Sequence, residues 1–166
     1  VDDVDAVGQG SDDQLQAAVR ELEHQVELSN ILFQSFSGNA KSIGRLTEIA
    51  VEIEISHALH DDCLLYRFDV QCRLRGGEGK HEEERPEYGE IDLRLVCEFQ
   101  KLGGLTVSDE TIERFGDTVA LRIVGPYIRE AISSMVVRLG FPALTIGMFT
   151  SGEAVPRTIT GRRMTR

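Results

Sequence analysis

Three segments of this chain alternate apolar and polar residues with a period of two, and few folds can accommodate that pattern. In EIAVEIEIS, Ile49, Val51, Ile53 and Ile55 alternate with Glu48, Ala50, Glu52 and Glu54. Further on, Leu64, Tyr66, Phe68, Val70, Cys72 and Leu74 oppose Arg67, Asp69, Gln71, Arg73 and Arg75. Ile91, Leu93, Leu95, Cys97 and Phe99 likewise oppose Asp92, Arg94, Glu98 and Gln100. Successive side chains of a strand point to opposite faces, so each segment puts one face in a core and the other in water. VELSNILFQSF, residues 26 to 36, alternates less cleanly, but its β-branched and aromatic residues predict a fourth strand. The links HALHDD and RGGEGKHEEERPEYGE carry no helical pattern. A parallel crossover normally needs a helix, so the strands are expected to form an antiparallel meander.

The period changes at both ends of this strand block. SDDQLQAAVRELEHQ places Leu15, Val19 and Leu22 at helical spacing, with Ser11 as a cap and Asp12 and Asp13 where the helix dipole favours negative charge. This predicts a helix over 12–24. After Gly103 and Gly104, SDETIERF supplies a short capped segment at Ser108. Val124, Ile128, Ala131, Ile132, Met135, Val136 and Leu139 then form one apolar stripe. Pro126 fits a first turn or bends an interior, and Gly140 with Pro142 ends the helix. The expected fold class is α+β: a four-stranded antiparallel sheet with a long C-terminal helix packed on one face.

Composition then excludes several functions. A length of 166 residues suits one domain. The formal net charge of −10 opposes nucleic-acid binding, which needs clustered Lys and Arg, and favours basic or mixed partners. There is no apolar run of about 18 residues that could span a bilayer, and no secretory leader is visible, so the expected compartment is the cytoplasm. Cys63, Cys72 and Cys97 lie in or beside apolar segments and imply no disulfide framework. The first 20 residues are acidic, whereas Arg157, Arg162, Arg163 and Arg166 make the last segment basic, and such a tail is expected to be disordered.

Signals for catalysis are weak throughout. His57, His60 and Cys63 have HxxHxxC spacing but lack a fourth zinc ligand at recognisable distance. GGEGKH has glycines and a lysine without the spacing or the strand-to-helix context that cradles phosphates. The acidic run HEEERPE reads as a solvated loop, and no nucleophile is paired with a base. No enzyme activity, metal or cofactor is expected.

What remains is an apolar loop beyond the long helix. FPALTIGMF carries Phe141, Leu144, Ile146, Met148 and Phe149, and Met is pliable enough to suit promiscuous surfaces. Apolar side chains left open there would bind other polypeptides; folded back, they would only extend the core. PYIRE, the Ile-Ser after it, Arg138, Gly140, Phe141, Pro142 and Leu144 resemble the signature of the SecB family of export chaperones. VCEFQ at 96–100 resembles that family's fourth strand.

The resemblance covers about residues 26–149, leaving 1–25 as an N-terminal extension with a short helix and 150–166 as the basic tail. It implies an ATP-independent holdase, a homotetramer built as a dimer of dimers, that holds unfolded polypeptides in apolar grooves. Phe141 and Leu144 match the motif as client contacts, with Ile146, Met148 and Phe149 beside them. Val51 and Ile53 take the second-strand position along the groove. Glu98, with Val96, matches the acidic outer face through which the family docks the translocase motor SecA. Asn30 and Gln34 stand where the first strand would be acidic, and Arg67, Arg73, Arg75 and Arg94 dilute the negative face. Clients are then secretory precursors, or an antitoxin, as in dedicated relatives of toxin–antitoxin systems. A non-chaperone adaptor or a binder of small apolar ligands would use the same fold.

Overall fold

A computed structural model describes residues 6–60, 63–76, 85–103 and 106–143. Strands β1 (Val26–Ala40), β2 (Leu46–Leu59), β3 (Cys63–Gly76) and β4 (Glu87–Lys101) form one antiparallel sheet in the order β1-β4-β3-β2. Helix α1 (Ala6–Gln25) precedes them, and α2 (Asp109–Phe115) and α3 (Leu121–Arg138) follow. The expected α+β architecture is therefore present, with all four strands in place.

The meander expected of the sheet holds for β2, β3 and β4 and fails for β1, which pairs with β4 rather than with its neighbour in sequence. Only residues 41–45 link β1 to β2. They must cross the ends of β4 and β3, three strand spacings or roughly 14 Å, which a nearly extended chain of this length can do. Backbone amides of Lys41 and Ser42 donate to the Tyr88 carbonyl at 2.8 and 3.2 Å, tying the crossover to the start of β4.

Strand register explains the two faces. Ile55, Phe68 and Leu95 stand in one cross-strand row, as do Ile53, Val70 and Leu93, and Val51, Cys72 and Ile91. All nine are buried. The rows between them carry Glu54, Asp69 and Arg94, or Glu52, Gln71 and Asp92, on the opposite face. A one-residue slip would exchange these faces, so burial fixes the register.

The helices cover the apolar face. Ser108 caps α2, its Oγ accepting from the Thr111 amide at 3.2 Å, as the sequence suggested. The long helix does not begin at Gly125-Pro126. It continues from α2 through a π-helical turn, Gly116–Ala120, into α3, and Pro126 lies inside it. The turn seats Gly116 against Tyr66, where a Cβ would lie 2.8 Å from the ring. Tyr66 is fully buried, stacks on Phe115 at 5.9 Å, meets Phe99 edge-on at 6.0 Å, and donates its hydroxyl to the Ile112 carbonyl at 2.7 Å. This aromatic cluster locks the helical layer to β3 and β4.

Helix α1 starts earlier than the Ser11 cap predicted. Val19 and Leu22 are buried and the helix packs on α2, so propagation from a docked stripe outweighs the local cap. Exposed ion pairs tie α1 to both later helices, Arg114 of α2 with Asp12 at 3.3 Å and Arg122 of α3 with Glu23 at 2.7 Å. The chain passes from α1 into β1 without a linker.

Candidate polypeptide-binding site

The end of α3 decides what the following loop can offer. Gly140 adopts φ 88°, which L side chains rarely take, and its amide donates to the Val137 carbonyl at 3.0 Å. The Phe141 amide reaches back to the Val136 carbonyl at 3.1 Å. These two bonds make a Schellman motif, whose usual companion is an apolar contact between the residue after the glycine and the last turn. Phe141 supplies it.

Phe141 is consequently not the open side chain expected. It is 6% exposed and lies nearly parallel to Tyr88, ring centroids 6.5 Å apart. Val51 and Ile53 are buried too, on the inner face of β2 opposite Cys72 and Val70. Their alternation serves this subunit's own core. Leu144, Ile146, Met148 and Phe149 lie outside the described residues. Within one chain, then, the described members of the expected groove are covered by their own subunit.

Tyr88 was not distinguished in the sequence from the acidic loop around it, yet it joins three segments. A Cβ on Gly44 or on Gly76 would collide with its ring. Its main chain holds the crossover, and Lys41 pairs with its neighbours Glu87 at 2.5 Å and Glu90 at 2.9 Å. Donating to these carboxylates raises the Lys41 pKa, and the bond from the Lys41 ammonium lowers that of Glu90. The signal available was the Pro86-Glu-Tyr88-Gly89 order, in which an aromatic sits between turn residues.

Open apolar surface appears elsewhere. On the edge strand β1, Leu28, Leu32 and Phe33 are 38, 53 and 42% exposed. Leu32 pairs with Val96 on the outer face, whereas Phe33 pairs with Leu95 on the inner one. The uneven alternation of this strand in the sequence was the sign: both of its faces carry apolar groups.

The outer face is electrically mixed. Glu98 and Val96 are half-buried there, in register with Asn30 and Leu32 of β1. Asp69 is paired with Arg67 at 2.9 Å and Arg94 at 2.5 Å, Glu52 with Arg73 at 3.7 Å, and Glu48 with Arg85. Asn30 and Gln34 are exposed and add no charge.

His57 is buried on β2 with its ring 6.3 Å from Tyr66, while His60 is exposed beyond the strand end. Among the described residues no group of three His, Cys, Asp or Glu is placed to hold a metal ion. Cys72 and Cys97 are buried thiols outside any disulfide, and burial pushes both up to about 12. No described helix is long and apolar enough to cross a membrane.

No family model matches the sequence. No curated protein matches it either. The fold does have a solved counterpart. The SecB-like chaperone Rv1957 of Mycobacterium tuberculosis, solved in complex with a ChAD peptide from the Rv1956 HigA1 antitoxin, superposes with a TM-score of 0.71. The match covers 83% of this chain and 100% of that one at 16% identity. This chain has a SecB-like fold.

Proposed function

We propose that this protein is an ATP-independent chaperone that holds non-native polypeptides. The observation that carries the reading is the match over the whole length of a chaperone solved with a bound peptide. Residues 26–149 form the chaperone unit, 1–25 an extension to it, and 150–166 a basic tail. Clients contact Phe141, Leu144, Ile146, Met148 and Phe149. Each client side chain that becomes buried contributes at most about 1.5 to 3 kcal/mol, so capture needs several contacts along one extended chain. Binding the unfolded form alone delays folding by mass action, without nucleotide or any other cofactor and without chemistry.

The chain works in the cytoplasm as a homotetramer, a dimer of dimers. Its two sheet edges support such pairing unequally. Edge strand β2 carries Glu48, Glu52 and Glu54 on its outer face, and charge on an edge discourages pairing. Edge strand β1 exposes Leu28, Leu32 and Phe33 instead, and is the edge that mates with a second copy.

A dedicated antitoxin client is the second reading, favoured by the peptide in the solved counterpart and by the paired carboxylates of the outer face. Docking of the motor SecA through Glu98 and Val96 would meet arginines on that face, which makes export the weaker branch. An adaptor or small-ligand binder is the reading outside chaperones. Aggregation of a reduced, unfolded test protein separates them: a holdase suppresses it near one-to-one without ATP, and an adaptor leaves it unchanged. Chains captured in cells then distinguish secretory precursors from one antitoxin.

A further inference from the structure

The contact between Tyr88 and Phe141 is asymmetric. Tyr88 is fixed from several sides: its ring occupies the slot left by Gly44 and Gly76, and its carbonyl accepts two crossover amides. Phe141 is buried at the helix stop. It follows Gly140, whose positive φ provides a pivot and around which a Cβ would meet nothing within 4 Å. Pro142 and Ala143 beyond it are exposed. The fixed ring therefore determines whether the pivoting one rests against the sheet.

We infer that Tyr88 is a positioning residue that latches Phe141 against the sheet end, so that Phe141 reaches a client only when the stack parts. The inference rests on the reading of Phe141 as a client contact. In the latched state Phe141 is satisfied within its own chain and unavailable. Apparent client affinity is then reduced by the fraction of molecules unlatched, and weakening the latch without touching Phe141 tightens binding. An aromatic pair of this kind corresponds to a factor of roughly three to ten in that equilibrium.

The test uses the full chain carrying Tyr88→Ala or Tyr88→Phe. Amide hydrogen exchange at Gly140 and Phe141 is measured without client, and affinity is measured for a reduced, carboxymethylated and permanently unfolded polypeptide. Tyr88→Ala is expected to speed exchange at both amides by about threefold to tenfold and to tighten the apparent Kd by a similar factor. Tyr88→Phe keeps the ring and is expected to match the wild type in both. Should Tyr88→Ala lose the circular dichroism of the sheet, Tyr88→Leu fills the slot without a ring and takes its place. Unchanged exchange overturns the latch. Faster exchange with unchanged or weaker binding overturns the link between latch and client. If exchange quickens while the wild type binds no probe at all, the latch stands and the chaperone reading falls.

Discussion

Placing lysines at Leu32 and Phe33 together is expected to dissociate the assembly and leave the subunit folded. In one chain these side chains are 53 and 42% exposed, so roughly half of each remains to be buried by a partner. Full burial of a large apolar side chain contributes about 1.5 to 3 kcal/mol, which leaves about 0.8 to 1.5 for each half. A two-fold interface uses every residue twice, giving a loss of about 3 to 6 kcal/mol for the pair. That corresponds to a weakening of the dimer by about two to four powers of ten before any cost of burying the new charges. The half already buried in one chain is worth a similar amount, so each subunit should lose about 1.5 to 3 kcal/mol, read as a lower urea midpoint, while its far-ultraviolet circular dichroism stays that of the folded sheet. Sedimentation velocity at micromolar concentration reads the assembly. A wild type that sediments as a monomer, or a variant that keeps its full size, would refute the assignment of β1 as the mating edge.

Other expectations follow from single sites. Tyr66→Phe removes the bond to the Ile112 carbonyl, which also accepts from the Gly116 amide and so is not orphaned. The loss should be about 1 kcal/mol, read as a lower urea midpoint at unchanged slope. Gly116→Val drives its side chain into the Tyr66 ring, and calorimetry should show a loss of at least about 1 to 3 kcal/mol. At pH 8 a thiol reagent should leave Cys72 and Cys97 unlabelled until denaturant is added, because both are buried and neutral. Their raised values also make the folded state hold protons that the unfolded state releases. Stability from this source is complete below pH 9 and falls as pH climbs from 9 towards 12, which alkaline unfolding curves can follow.

Much of this fold was legible because burial on one face leaves a period in the sequence. The rows through Val70 and Leu93 are regular enough that strands, faces and class all follow from them. Strand order was less so. Nothing in the spacing of Val26–Ala40 says that it pairs with β4, since the determinant is the short crossover at 41–45 and its bonds to Tyr88. The helix start stays open in the sequence for a related reason: Pro126 is compatible with a first turn or an interior bend, and what extends the helix ahead of it are the tertiary contacts of Phe115 and Gly116 with Tyr66. Phe141 was assigned to open surface because a sequence shows an apolar residue after a helix stop and does not show the ring waiting for it.

For the proposed holdase, the burial of Phe141 sets the energetics of client capture. A loop left open at rest would present its apolar groups to other copies of itself, and exposed patches of that kind mark aggregation as readily as recognition. Returning Phe141 to its own sheet through a Schellman turn removes that hazard while no client is present. The cost is a weaker first contact. Since each client side chain contributes little alone, a chain displaying several apolar groups in succession can offset the release of Phe141, whereas one displaying a single group cannot. Selection for long unfolded segments would then arise from the resting contact itself, and a series of client peptides of increasing length should bind with a threshold in the wild type and without one in Tyr88→Ala.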